Sequence, residues 1–328
     1  MMRNFSYLRA TSTAEAAQAA QQAGAMLLAG GTTLLDLAKC GVGEPDTVID
    51  ITHLSGMSGI TVNADGATIG ALTMMSQVAD HKDIRAAFPA VSESLSLAAS
   101  AQLRNMATIG GNLLQRTRCS YFRDPGAFPA CNKRNPGSGC SAIGGITRNH
   151  AVLGTSEACI ASYPGDLAVA LVAFDAVIET DSRKVGIDDF FLVPDETPNK
   201  ETVLQRGEII TAVTIPASAA ARNSTYLKIR DRQSYEFAAA SAAVGLELEA
   251  DGRTVRDIRV AIGGVATKPW RARVVELALL GKALTSEAVE KASRLAMEGA
   301  VDHGGNRYKI ELAPRVIARA IFKVGGLA

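Results

Sequence analysis

Four of the five cysteines, Cys119, Cys131, Cys140 and Cys159, fall within 41 residues in the pattern Cys-x11-Cys-x8-Cys-x18-Cys. Structural zinc sites usually show close pairs such as Cys-x2–4-Cys, and this stretch has none. Disulfides are open in principle, with three connectivities for four cysteines, but no export signal is evident and cytosolic disulfides are rare. An iron–sulfur cluster needs four thiolates, which irregular loops can supply. Nearby Arg116, Arg118, Arg123, Lys133 and Arg134 favour thiolates and offset the charge of a ligated cluster. Spacing alone leaves a [4Fe–4S] cluster, zinc and free thiols open. Cys40, on a helical stretch, reads as a packed thiol, and His150, the histidine nearest the loop, as a surface residue.

Two glycine pairs offer a second kind of chemistry. Leu28-Ala29-Gly30-Gly31-Thr32-Thr33-Leu34 joins an apolar run to a helical pattern. Glycines let backbone amides approach an anion, hydroxyls add donors, and a helix starting at Thr32 adds its positive end. The segment lacks the Gly-x-Gly-x-x-Gly spacing and carries no Walker lysine, so a plain strand-to-helix turn competes with anion binding. Thr108-Ile109-Gly110-Gly111-Asn112-Leu113-Leu114 repeats the theme. Two such loops could grip the two phosphates of a dinucleotide. Asp166 precedes an apolar helix and reads as a cap or a ligand contact. Lys228 to Glu236, which includes Tyr235, is a mixed-charge strand end that reads as a solvated turn. No Ser/His/Asp or His-Glu-x-x-His arrangement is present.

These residues sit on a regular frame. The first fifty read helix (13–24), strand (25–29), Gly-rich turn, helix (34–39) and strand (47–51), a parallel β-α-β unit. Residues 59–72 read as a hairpin and 74–81 and 88–99 as helices. Residues 102–165, rich in Gly, Asn, Arg and Cys, break the pattern, and so long a loop is usually functional or disordered. Strands are expected at 151–153 and 158–161 to close it, and at 176–179 and 208–215 beyond it. A small polar linker at 217–223 precedes strands at 225–230, 238–249 and 254–262. Helices are expected at 270–279, 286–299 and 308–324, with Trp270 as a packing anchor.

The chain of 328 residues carries a net charge of +1, with 47% hydrophobic, 20% charged and 5% aromatic residues. That length suits about two domains, and the near-zero charge and few aromatics argue against nucleic-acid binding. No window approaches 18 apolar residues, so no membrane insertion is expected. The chain is expected to be cytoplasmic as synthesised, with periplasmic residence open by co-export on a partner's signal.

In combination the motifs resemble one family. Ala-Gly-Gly-Thr-Thr-Leu-Leu-Asp-Leu at 29–37, Asn-Met-Ala-Thr-Ile-Gly-Gly-Asn-Leu at 105–113 and Gly-Asp-Leu-Ala at 165–168 are similar, in order, to the FAD-binding subunit of molybdenum hydroxylases. Tyr226-Leu-Lys-Ile-Arg-Asp-Arg and Ala261-Ile-Gly-Gly-Val-Ala extend the resemblance over nearly the whole chain. The cysteine loop, with Cys131-Asn-Lys-Arg-Asn-Pro-Gly-Ser-Gly-Cys140, looks like that of the bacterial periplasmic aldehyde oxidoreductase flavin subunit, which carries a [4Fe–4S] cluster.

The resemblance implies an α+β fold. A two-lobed FAD-binding domain of the vanillyl-alcohol-oxidase/PCMH type would span 1–221, with lobes of about 1–55 and 56–221 and a Cys-rich insertion at about 115–160. A C-terminal domain with a three-stranded sheet and helices would span 222–328. It further implies FAD held by Leu28, Ala29, Gly30, Gly31, Thr32, Thr33, Leu34, Thr108, Gly111, Asn112, Leu114, Asp166, Lys228 and Tyr235. The cluster would be held by Cys119, Cys131, Cys140 and Cys159. Substrate would react at a molybdenum cofactor on a large partner, and electrons would pass through a small [2Fe–2S] partner to this chain, which has no catalytic acid or base of its own. Xanthine dehydrogenase-type and hydroxybenzoyl-CoA reductase-type enzymes are the alternatives within the class. Outside it stands a non-catalytic nucleotide-binding protein with a zinc-stapled loop.

Overall fold

A computed structural model describes residues 2–327. The β-α-β reading of the N-terminus holds, with one strand added. Ser6–Arg9, Thr47–Asp50 and Ala25–Leu28 form a parallel sheet in that spatial order. The helix Thr13–Ala20 starts where the Ser12 hydroxyl accepts from the Glu15 amide at 3.1 Å while the Glu15 carboxylate reaches back to the Thr11 amide at 2.7 Å, a reciprocal cap. Strand Ser6–Arg9 is missing from the sequence reading because its side chains are mostly exposed, so it shows no buried stripe.

The second lobe is an antiparallel sheet of five strands in the order Ile60–Asn63, Gly66–Gly70, Ile210–Pro216, Val177–Thr180, Lys184–Gly186. Helices Pro89–Leu97 and Leu167–Ala173 pack in the same core, and every residue of the second is buried. That full burial explains why its apolar run shows no helical stripe. The expected linker at 217–223 is instead ordered as the helix Ala219–Arg222, because Ser218 caps the Ala221 amide at 3.0 Å and Ala220 and Ala221 are buried.

The C-terminal sheet contains the three expected strands, Ser224–Ile229, Ala240–Leu248 and Val255–Gly263. Trp270–Arg271 adds a short fourth strand beside the third. Helices Arg273–Leu279, Ser286–Leu295 and Tyr308–Gly325 share its core. No helix among the described residues is long and apolar enough to cross a membrane.

The insertion differs from expectation. Segments 151–153 and 158–161 are not strands, since Leu153 and Cys159 make only isolated bridges, to Ala266 and Ser156. Their amides are satisfied one at a time: Ala151 bonds Ile160, while Val152 and Leu153 both bond the Val265 carbonyl. Side chains replace a ladder. The Arg134 guanidinium donates to the carbonyls of Tyr121 (2.6 Å), Phe122 (2.7 Å), Phe128 and Pro129. Fully buried Asn306 donates to the carbonyls of His150 and Ala151, at 3.4 and 2.8 Å, pinning the insertion to the C-terminal domain.

Candidate functional site

The two Gly-Gly loops meet. A Cβ built on Gly30 would stand 2.0 Å from the Met106 carbonyl oxygen, so only glycine lets the first loop lie against the backbone leading into the second. Gly31 adopts φ +71°, a left-handed conformation that favours glycine. In the second loop the Thr108 hydroxyl accepts from the Gly111 amide at 3.3 Å, and Gly110 bonds back to the Ala71 carbonyl at 2.8 Å. Gly110 packs inward, whereas a Cβ on Gly111 would meet only the Thr108 hydroxyl, leaving its open side toward solvent-filled space.

Two cavities open from this junction. One, of about 500 Å³, is lined by Ala29, Gly30, Gly31, Thr32, Thr33, Leu34, Thr108, Gly111 and Leu114, together with Gly207 and Glu208 of the loop opposite. The other, of about 360 Å³, is lined by Thr32, Thr33, Gly111, Asn112, Asp166 and Tyr235. Thr32, Thr33 and Gly111 wall both. Twelve of the fourteen expected FAD residues therefore line one joined cleft; Leu28 and Lys228 do not line it. Leu28 ends the strand beneath the first loop, and Lys228 lies behind Asp166. A larger cavity, of about 790 Å³, lies beneath the loop containing Glu201 and meets this cleft at Leu114, Arg116 and Arg206.

Asp166 does not cap its helix. It is 5% exposed, and its carboxylate oxygens accept from Tyr226 Oη at 2.7 Å and Lys228 Nζ at 2.8 Å. Burial pushes this carboxyl above its ordinary value, against the pull of Lys228 and Tyr226. Lys228, read as part of a solvated turn, is buried, while Tyr235 further along is exposed at φ +53° with Arg232 over its ring.

Sequence reasoning missed Arg118 as a wall of the second cavity. Its guanidinium bonds Asp36 at 3.1 Å and lies 5.0 Å from the centre of the Phe237 ring. Burial and the neighbouring Arg123 pull it below its ordinary value, although a guanidinium stays charged. Arg118 Nε and Asn112 Oδ1 are buried without hydrogen-bond partners. Buried polar atoms are seldom left so, and two orphans on one wall fit a ligand that supplies both a donor and an acceptor.

The four clustered cysteines, all free, line one small void of about 10 Å³. Cys131 and Cys140 face each other across an antiparallel bridge, and Cys119 leads the short helix Ser120–Arg123. Burial pushes the Cys119 thiol up to about 12, and burial raises Cys159 also, with Lys133 opposing. Among the described residues no group of three or more His, Cys, Asp or Glu stands in a metal-holding arrangement. Metal ligation needs thiolates, so a cation bound at this void would have to displace protons that burial holds more tightly. His150 corrects the sequence reading. It is 5% exposed, with Nε2 3.2 Å from Cys119 Sγ, and burial holds its pKa down to about 4. Nothing in the local sequence signals this, since the two residues are 31 apart.

A cleft formed by two abutting glycine loops between a parallel and an antiparallel lobe, followed by a separate sheet-and-helix domain, defines the flavoprotein-subunit class. Residues 3–218 match the FAD binding domain in molybdopterin dehydrogenase, and residues 225–324 match the CO dehydrogenase flavoprotein C-terminal domain. The chain belongs to the FAD-binding subunits of the molybdenum hydroxylase family and is a component of an FAD-dependent oxidoreductase. It is 42% identical to the aldehyde oxidoreductase FAD-binding subunit PaoB of Escherichia coli (strain K12), with 98% of each chain covered. It is 27% identical to the glyceraldehyde dehydrogenase medium chain of Sulfolobus acidocaldarius, with 97% of each covered. The solved structure of carbon monoxide dehydrogenase from Hydrogenophaga pseudoflava, in a form lacking the Mo-pyranopterin moiety, superimposes with a TM-score of 0.75 at 26% identity, covering 98% of this chain and 97% of that one. The expected α+β fold, a two-lobed flavin domain followed by a C-terminal domain, is thus the fold observed.

Proposed function

We propose that this chain is the FAD- and [4Fe–4S]-binding electron-transfer subunit of a heteromeric molybdenum-containing aldehyde oxidoreductase. The observation that carries the reading is the joined cleft at the two glycine loops together with four cysteines around one void. The relative at 42% identity, an aldehyde oxidoreductase subunit, supports the substrate class. The amides and hydroxyls from Gly30 to Thr33 hold the diphosphate, and Thr108, Gly111 and Asn112 hold the flavin side. Asp166 fixes the far wall, and Lys228 and Tyr226 orient its carboxyl group. Bound FAD supplies an exit that accepts electrons singly and delivers them in pairs. Cys119, Cys131, Cys140 and Cys159 hold the cluster, with Lys133 offsetting its charge; its first role is to staple an insertion that has almost no core of its own.

Electrons reach this chain from a large molybdenum-cofactor partner through a small [2Fe–2S] partner. The flavin domain ends near 221 and the C-terminal domain begins at 222. The chain is cytoplasmic as synthesised, with the periplasm open to it by co-export on a partner's signal. Absorption and metal analysis of the purified chain test the cofactor reading. Stoichiometric flavin, with iron and labile sulfide in the ratio of a [4Fe–4S] cluster, is expected; a colourless, zinc-containing protein overturns it. An activity screen of the complex against aldehydes and purines tests the substrate class, and greater activity on purines overturns it.

A further inference from the structure

Three carboxylates line the second cavity, and their partners differ. Asp166 is matched by Lys228 at 2.8 Å. Glu236 is matched by Arg232 at 3.3 Å. Asp36 instead serves two guanidiniums, those of Arg118 and Arg123, and one carboxylate cannot neutralise both. Arg118 lines the cavity, with its Nε buried and unpartnered. A surplus positive charge thus faces the space between Asn112, Phe237 and Asp166.

Two parts of the flavin cofactor could meet this charge, the diphosphate or the ring. The diphosphate already has donors in the Gly30–Thr33 amides and hydroxyls. Arg118 belongs instead to the aromatic wall, with its guanidinium over Phe237. We propose that Arg118 presents its guanidinium to the isoalloxazine end of bound FAD and stabilises the negative charge gained there on reduction, so that Arg118 rather than the neutralised Lys228 sets the flavin's midpoint potential. The inference rests on the FAD reading given above. In a two-electron reduction the ring takes up two electrons and one proton and gains one net negative charge. A fixed cation a few ångströms away in a partly desolvated site favours that state over the neutral oxidised ring.

The test is a potentiometric titration of the intact complex with dithionite as electron donor, with FAD content and affinity measured in parallel. In Arg118→Gln the preference for reduced over oxidised flavin is expected to fall at least tenfold, which lowers a two-electron midpoint by about 30 mV, while FAD is retained. Arg118→Lys keeps the charge and is expected to keep most of the wild-type midpoint. Asp36→Asn unmasks the surplus charge and is expected to shift the midpoint upward, a sign that a merely structural role would not produce. An unchanged midpoint in Arg118→Gln overturns the proposal. So does a loss of FAD affinity with no midpoint change after reconstitution with saturating FAD, because a diphosphate contact acts equally on both redox states. If Arg118→Gln does not fold, Asp36→Asn decides: an upward shift supports the proposal and no shift overturns it. A wild-type complex without flavin would sink the FAD reading itself, a distinct outcome.

Discussion

Lys228 Nζ and Asp166 Oδ2 stand 2.8 Å apart in a buried ion pair that ties the C-terminal sheet to the buried helix Leu167–Ala173 of the flavin domain. The lysine also donates to the Leu97 carbonyl at 3.1 Å, so a single side chain joins three segments far apart in sequence. Removing one partner of such a pair strands a charge in a poorly solvated site, which typically costs about 3–5 kcal/mol. Lys228→Met is therefore expected to lower unfolding stability by that amount in a denaturant titration. Adding Asp166→Asn should recover part of the loss, and strict additivity of the two losses would show that the pair is not coupled.

The glycines of the cleft separate packing from binding. Gly30→Ala forces a Cβ against the Met106 carbonyl, a backbone clash with no side chain free to move aside. Overpacking of this kind costs roughly 1–3 kcal/mol. Gly30→Ala is expected to lose both stability and FAD. Gly111→Ala meets only the Thr108 hydroxyl at 3.1 Å and projects toward the shared wall of both cavities. It is expected to melt within a few degrees of wild type yet hold less FAD per chain. Thermal unfolding beside flavin quantitation checks both, and full FAD occupancy in Gly111→Ala would remove that residue from the site.

The insertion is pinned to the C-terminal domain through Asn306. Asn306 donates to two insertion carbonyls and accepts from the His303 amide at 2.9 Å. Asn306→Ala leaves those groups buried and unpaired, at roughly 1–3 kcal/mol. Cys131→Ser is expected to remove most of the iron and to expose residues 115–160 to limited proteolysis, while flavin is retained. Iron loss with an unchanged proteolysis pattern would mean that the cluster is a relay rather than a staple.

How much of this was legible depended on how local each signal was. The Gly30-Gly31 and Gly110-Gly111 loops were readable as sharp turns because each is a run of consecutive residues. The β-α-β start and the three C-terminal strands were readable because their apolar periods lie within single windows. Arg118, Tyr226 and His150 were not, because their roles come from partners brought close only by folding: Arg118 with Asp36 82 residues away, Tyr226 with Asp166 60 away, His150 with Cys119 31 away. The strands expected at 151–153 and 158–161 failed for a related reason. The apolar character of 151–153 reflects burial against Val265 and Ala266, not a ladder, and 158–161 meets it only through the Ala151–Ile160 bond and the Ser156–Cys159 bridge.

Glu208 gives the clearest pH dependence. Its carboxylate accepts from the Arg183 guanidinium at 2.8 and 3.0 Å, from the Gln205 amide at 2.8 Å and from the Thr180 hydroxyl at 2.8 Å. The Arg183 bonds lead in holding its pKa down to about 2, against an ordinary 4.5. A carboxylate with a depressed folded pKa adds stability that is complete above the unfolded value and disappears as pH falls through the folded one. Because Arg183 is largely exposed, the contribution is nearer that of a surface pair, about 1 kcal/mol. Glu208→Gln is therefore expected to melt below wild type by a constant margin above about pH 5, and the gap should close as pH drops from about 4.5 toward 2. A gap between the two melting curves that stays constant down to pH 3 would show that this carboxylate is not the group being titrated.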